Sequence, residues 1–312
     1  MLIEVNQIVK RYKELIALDH FDFYVKEGEI VGLLGPNGSG KTTLINCMLS
    51  LLRYDKGDIK IFGREMRPDD WETKRQIGVV PQELAFFNKL TVRENIDYFC
   101  GLYVDDAKER KRLVREAIEF TGLTSYEKFM PNKLSGGLRR RLNIACGIAH
   151  KPRLLFLDEP TVAVDAQSRN FILEGVQRMN EQGTTVVYTT HYLEEAEKIC
   201  TRIAIIDKGK NIVTGTKEEL LGMIGTDEII HVSFLELPAD TEEKLRRLPH
   251  LLEVKTNGGH NRFELRFEKS NNNLHYLMDL IAEEHLTYDQ LYSERPTLND
   301  VFLELTGKEL RD

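Results

Sequence analysis

The stretch Gly35-Pro36-Asn37-Gly38-Ser39-Gly40-Lys41-Thr42-Thr43 limits what this chain can fold into more than any other part of it. It follows the continuous apolar run Ile30–Leu34 and leads into an apolar helical stretch that starts near Thr42. A continuous apolar run of that length marks a strand buried on both faces. The spacing is that of a phosphate-cradling loop, GxxxxGK[ST], in the strand–loop–helix context such a loop requires. Its glycines let the backbone curl so that successive N–H groups converge on phosphate oxygens. Lys41 offers a compact positive charge to the β- and γ-phosphates, and Thr42 a hydroxyl to Mg²⁺. The helix N-terminus adds its own positive end.

A second apolar run, Leu154-Leu155-Phe156-Leu157, ends in Asp158-Glu159-Pro160, about 120 residues after the loop. Side chains alternate along a strand, so the two adjacent carboxylates face different ways and can take two tasks. Asp158 is expected to hold Mg²⁺. Glu159 is expected to orient, or take a proton from, the water that attacks the γ-phosphate.

Around these pieces, strand and helix patterns alternate. Ile3, Val5, Phe21, Phe23 and Val25 alternate with polar residues, as in a sheet with one wet face. Residues 153–157 and 184–190 read as buried strands. Leu113, Ala117 and Ile118 take helical spacing within 108–120, as do Phe171, Ile172, Val176 and Met179 after Asp165. That alternation predicts an α/β domain on a parallel sheet. After about residue 220 the pattern becomes strand 229–235, helix 241–248, strands 252–256 and 263–267 about the turn Asn257-Gly258-Gly259-His260, helix 272–285 and strand 286–292. The order β-α-β-β-α-β suits a small ferredoxin-like module.

Composition narrows the function classes. The chain has 43 basic and 50 acidic residues, a formal net charge of −7, so it does not attract nucleic-acid phosphates as a whole. No apolar run approaches the roughly 18–20 residues that span a bilayer, and no signal-peptide pattern is visible at Met1-Leu2-Ile3-Glu4. A cytoplasmic protein is expected. Cys47, Cys100, Cys146 and Cys200 lie far apart and read as buried or half-buried thiols in a reducing compartment.

Between the loop and the carboxylates lies Leu134-Ser135-Gly136-Gly137, followed by Leu138 and the run Arg139-Arg140-Arg141. The run by itself reads as a solvated helix face. A phosphate loop, then this tetrapeptide, then an Asp-Glu strand about 20 residues later resembles the ATP-binding subunit of ABC transporters. The resemblance covers roughly residues 1–220 and implies roles for further residues. Tyr12 matches the aromatic that stacks on adenine, and Gln82 in Val79-Val80-Pro81-Gln82-Glu83 the glutamine that senses Mg²⁺ and the attacking water. Asp165 matches the loop that crosses to a partner subunit, and His191 the switch histidine at the γ-phosphate. Ser135, Gly136 and Gly137 match the segment that closes over ATP held by a second subunit. One copy of each motif implies a second ATPase subunit, itself or a paralogue, and the lack of spans implies separate membrane permease subunits. The region after Gln82, with Phe86 and Phe87, matches the surface that meets the permease. The tail Arg295–Gly307 resembles the ending of multidrug, sodium and nodulation-factor exporter ATPases, and it reads as a helix with Leu298, Val301, Phe302 and Leu305 on one face.

The implied fold is a P-loop NTPase core with a parallel sheet, an antiparallel β subdomain and a helical subdomain at about 85–150, within a domain 1–220. A C-terminal α+β module at 225–312 follows. The implied function is ATP hydrolysis at the cytoplasmic face of a membrane that drives an exporter. Import, and a soluble ABC ATPase acting on ribosomes or DNA, are the alternatives. Two departures from the family pattern stand out: Leu138 where Gln is usual, and Ala163-Val164 where Gly-Leu is usual. Alanine in place of glycine matters if that loop needs a positive φ.

Overall fold

The computed structural model describes residues 1–225, 228–238, 240–256, 261–268, 270 and 272–307. The chain divides into two compact units, Met1–Lys217 and a second that begins at Glu218. In the first, β1 (Ile3–Tyr12), β2 (Leu15–Val25) and β3 (Ile30–Leu34) lead to α1 (Lys41–Met48). Then come β4 (Lys56–Ile61), β5 (Arg64–Glu65), α2 (Trp71–Lys74) and β6 (Ile77–Val80). Helices α3 (Val92–Gly101), α4 (Ala107–Phe120) and α5 (Gly136–Ile148) follow. After them run β7 (Leu154–Asp158), α6 (Ala166–Glu181), β8 (Thr185–Thr190), α7 (Leu193–Ile199), β9 (Arg202–Asp207) and β10 (Lys210–Gly215); α8 (Lys217–Leu221) starts at the boundary residue and lies otherwise in the second unit.

The central sheet has the order β10-β9-β3-β8-β7-β6. Its strands are parallel except β10, which pairs antiparallel with β9. Alternation explains the continuous apolar runs. Leu154 and Phe156 pack into the core shared with the antiparallel sheet β2-β1-β4-β5 and α1, whereas Leu155 and Leu157 pack on the other face against Ile172, Val176 and Met179 of α6. Each such side chain contributes about 1.5–3 kcal/mol on full burial. A third core, with Val92, Ile96, Leu113, Val114, Ile118, Leu142 and Ala145, unites α3, α4 and α5 as a helical subdomain. The parallel register places the carboxyl ends of β3, β6, β7 and β8 along one sheet edge, where α/β folds bind their ligands.

The second unit holds β11 (Glu228–Phe234), α9 (Thr241–Leu245), β12 (Leu251–Thr256), β13 (Arg262–Phe267), α10 (Asn273–Glu283), β14 (Tyr288–Glu294) and α11 (Leu298–Thr306). Its antiparallel sheet has the order β12-β13-β11-β14, the arrangement of a ferredoxin-like module. The expected turn at 257–260 lies outside the described residues. On α11 the apolar stripe is shorter than expected: Leu298, Val301 and Phe302 are buried, but Leu305 is 38% exposed. Leu305 sits in the last turn before the left-handed Gly307 cap, where the chain leaves the helix. Arg266 on β13 fixes α11 by bonding Asp300 Oδ1 at 2.7 Å while also holding Glu264 at 2.8 Å. Burial alone would raise the Asp300 carboxyl, but hydrogen bonds from Thr297 and the Arg266 charge hold it below its usual range.

Candidate functional site

The loop from Gly35 to Thr43 connects β3 to α1 at the carboxyl edge of the central sheet. Gly40, the residue before α1, has φ +110°, and a Cβ there would lie 2.7 Å from the Ala17 carbonyl oxygen, so only glycine fits. The buried Ser39 hydroxyl has no hydrogen-bond partner among the described residues, and the first turn of α1 carries no acidic residue. A buried donor and an uncompensated helix N-terminus both suit an anion. Lys41 is also buried, and its Nζ donates to the carbonyls of Gly35 at 2.7 Å and Pro36 at 3.1 Å.

Asp158 and Glu159 diverge as alternation requires. Asp158, at the end of β7, accepts from Thr42 Oγ1 at 2.8 Å and from Thr189 Oγ1 at 2.6 Å. Glu159 lies just past the strand with φ +45° and is only 5% exposed. Its backbone N–H donates to the same Thr189 hydroxyl at 2.9 Å. Its carboxylate stands 3.2 Å from Lys41 Nζ and 3.2 Å from His191 Nδ1. The His191 nitrogen is within ion-pair reach but off the line of a hydrogen bond. Gln82 Nε2, past the end of β6, reaches Glu159 Oε2 at 3.5 Å, the outer limit of a hydrogen bond. Four strand ends thus bring Lys41, Thr42, Gln82, Asp158, Glu159 and His191 into one cluster, in which Lys41, Asp158, Glu159 and His191 are buried and Thr42 and Gln82 are exposed.

The remaining expected residues stand apart from that cluster. Ser135 caps α5 by accepting from the Leu138 N–H at 3.3 Å, and Asp165 caps α6 by accepting from the Ser168 N–H at 2.9 Å. That backbone donor, with the Ser168 hydroxyl, holds the exposed Asp165 carboxyl below its ordinary range. The two caps pack together through Gly137, where a Cβ would lie 2.2 Å from Ser168 Oγ. Gly136 is exposed beside the Ala163 carbonyl. Tyr12 lies at the end of β1, 45% exposed, with Lys10 Nζ 5.2 Å from its ring centre; no hydrogen bond or ring contact joins it to the loop. Phe86 packs into the helical subdomain, whereas Phe87 is 45% exposed and meets Tyr98 edge-on at 4.9 Å. Ala163 does adopt a left-handed backbone, φ +58°, without the glycine that would relieve it. All four cysteines are free; Cys47, Cys100 and Cys146 are buried and Cys200 half-buried.

The arginine run is not a solvated face. Successive helical residues step about 100° around the axis, so the three arginines point three ways. Arg139 is exposed, Arg140 is 7% exposed, and Arg141 lies with its guanidinium carbon 4.0 Å from the Phe171 ring centre. Arg140 Nη1 donates to the Gln82 carbonyl at 2.8 Å. Asn143, one turn on, donates to the Pro81 carbonyl at 3.1 Å and accepts from the Ala85 N–H at 2.8 Å. Arg140, Asn143 and Thr189 are the residues the motif reading missed. Only the unbroken charge run at 139–141 drew attention to any of them, and it pointed to solvent.

Comparison with known proteins matches residues 18–162 to the family described as ABC transporter, and residues 215–306 to the C-terminal domain of DrrA1-3-like ATP-binding proteins. The chain is 38% identical to the linearmycin resistance ATP-binding protein LnrL of Bacillus subtilis (strain 168), covering 100% of both chains. It is 34% identical to the Nod factor export ATP-binding protein I of Burkholderia thailandensis, covering 99% of this chain and 98% of that protein. Among solved structures, the dimeric post-hydrolysis state of the ATP-binding cassette MJ0796 bound to ADP and Pi superposes with TM-score 0.63 at 28% identity, covering 69% of this chain and 98% of that one.

Proposed function

The chain belongs to the ATP-binding subunits of ABC transporters and so binds and hydrolyses ATP, and from that membership we propose that it drives an exporter from the cytoplasmic face of a membrane. Subunits of this family act as dimers and work with membrane subunits. The names of the two relatives, one for drug resistance and one for Nod factor export, support export over import. Among the described residues no helix is long and apolar enough to cross a membrane, which supports separate permease subunits. Exposed Phe87 and the residues after Gln82 are the surface we assign to that permease. The family match and the net charge of −7 favour this reading over action on ribosomes or DNA.

The observation that carries the mechanism is the Glu159 carboxylate, buried within 3.2 Å of both Lys41 and His191. The Gly35–Thr43 backbone and Ser39 hold the phosphates. Lys41 exchanges its Gly35 and Pro36 carbonyls for β- and γ-phosphate oxygens. Thr42 Oγ1 and Asp158, already in contact, form an oxygen-only donor pair that fits Mg²⁺, and the Gln82 amide, which reaches the neighbouring Glu159, would add its oxygen. When bound, Mg²⁺ neutralises charge between the β- and γ-phosphates. Glu159, released from Lys41 by the arriving phosphate, orients the attacking water and takes its proton. His191 steadies the γ-phosphate and the Glu159 carboxylate together. Tyr12 stacks on adenine, and Ser135 to Gly137, with Asp165, close over ATP held by a second subunit.

The test is Glu159→Gln, which keeps the shape and removes the proton acceptor. Turnover should fall by about 100-fold or more, while ATP drives the variant into a lasting dimer. Wild-type ATPase activity in that variant would overturn the catalytic assignment. Co-purification with a polytopic membrane protein tests the transport reading; ribosomes or DNA in its place would refute it.

A further inference from the structure

We infer that Arg140 and Asn143 are positioning residues that tie the Gln82 loop to the Ser135-capped helix, so that the reach of Gln82 toward Glu159 follows the position of that helix. The inference rests on the roles proposed above for Gln82 and Glu159.

Three observations carry it. First, the contacts bracket the loop. Asn143 holds Pro81 and Ala85 with the two ends of one amide, and Arg140 holds Gln82 between them at 2.8 Å, with a longer reach to Pro81 at 3.4 Å. Both side chains leave the same face of α5, one turn apart, and both are buried.

Second, the arrangement is costly in a way that packing alone does not require. Arg140 is a buried cation with no carboxylate partner among the described residues; carbonyl oxygens alone satisfy it. An apolar side chain of similar size would fill the space without that desolvation cost. Burial pulls the Arg140 guanidinium below its usual range, yet arginine stays charged.

Third, the loop end stands at a threshold. Gln82 Nε2 is 3.5 Å from Glu159 Oε2. A shift of about 0.5 Å would bring it to the usual N–H···O distance. Because α5 grips the Gln82 backbone itself, a small displacement of α5 moves that amide directly. The same helix begins at Ser135 and Gly137, which pack against the Asp165 cap. Closure of a second subunit on Ser135 therefore registers at Glu159 of the same chain through Arg140 and Gln82.

A double-mutant cycle on the purified full-length chain tests this, with kcat and KM for ATP as the readout and thermal melting as the folding control. Arg140→Gln should lower kcat about tenfold, the weaker end of what a charge-assisted hydrogen bond supplies. KM should move by less than about twofold, because nothing that holds the phosphates is touched. Adding Arg140→Gln to Gln82→Ala should cost nothing further, since Arg140 acts through Gln82. If the double variant is slower than Gln82→Ala by the same tenfold, Arg140 acts elsewhere and the inference fails while the Gln82 reading stands. Wild-type turnover in Arg140→Gln also overturns it. Wild-type turnover in Gln82→Ala refutes the Gln82 reading and the inference together. Should Arg140→Gln melt below the assay temperature, Arg140→Lys, which keeps a buried cation but loses the guanidinium fork, runs the same cycle.

Discussion

Ala163→Gly should make the protein more stable, against the usual effect of adding a glycine. Ala163 holds φ +58° in the exposed segment that leads to Asp165. A left-handed backbone costs an L-residue about 1–2 kcal/mol through the approach of Cβ to the following carbonyl. Glycine removes that cost but adds about 0.4–1 kcal/mol of unfolded-state entropy. The balance favours the variant by about 0.5–1 kcal/mol. Because Ala163 is exposed, no packed methyl group is lost to cancel it. For a unit of this size the melting temperature should rise by about 1–4 °C. Differential scanning calorimetry of the full chain without nucleotide reads this, the transition of the first unit being the one expected to move. Ala163→Val is the matched control: a β-branched residue tolerates that φ worst, so its transition should fall. If Gly lowers the first unit's transition and Val leaves it unchanged, the segment does not hold a left-handed residue in solution, and the strain argument is wrong.

Three further outcomes follow from the geometry. Gly137→Ala places a methyl 2.2 Å from Ser168 Oγ and should destabilise the first unit by about 1–3 kcal/mol, read as a lower urea midpoint at unchanged slope. His150 is half-buried and stacked on Tyr103, and desolvation pushes its imidazole down from 6.5 to about 4 despite the Ile77 carbonyl at 3.2 Å. Its folded value lies below its unfolded one, so its stabilisation is complete above pH 6.5 and is lost as pH falls toward 4. The loss should reach about 2 kcal/mol by pH 5, and His150→Phe should flatten that part of a stability–pH curve. Asp300→Asn weakens the buried 2.7 Å contact to Arg266 but leaves Glu264 in place. It should cost about 1–2 kcal/mol in the second unit alone, seen as a shift of only that calorimetric transition.

Legibility in the sequence tracks how local the cause is. The phosphate loop could be read because its glycines and lysine serve one turn of backbone and one anion, all within a few residues. Strands β3 and β7 were equally plain, since burial on both faces leaves a nearly unbroken apolar run, and β8 is as buried but carries three threonines around Val186-Val187-Tyr188. Strands β4, β5 and β10 show mixed exposure, so their pattern is diluted. Arg140 was misread because its partners are the carbonyls of Pro81 and Gln82, which have no signature in side-chain chemistry. Thr189 escaped for a similar reason: one hydroxyl links Asp158 to the Glu159 backbone, and both ends are non-local. The departure at Ala163 was visible, but its left-handed backbone was not, because neighbouring elements impose that conformation.

The strand that carries the phosphate loop lies between β8 and β9, two strands encoded near the far end of the first unit. During synthesis, residues 30–43 leave the ribosome long before either neighbour exists. The loop is therefore made early and assembled late. A nascent chain that stops before Thr185 has the whole motif but neither of the strands that flank β3. Nucleotide is therefore expected to stabilise only chains in which β8 and β9 already flank the strand that carries the loop.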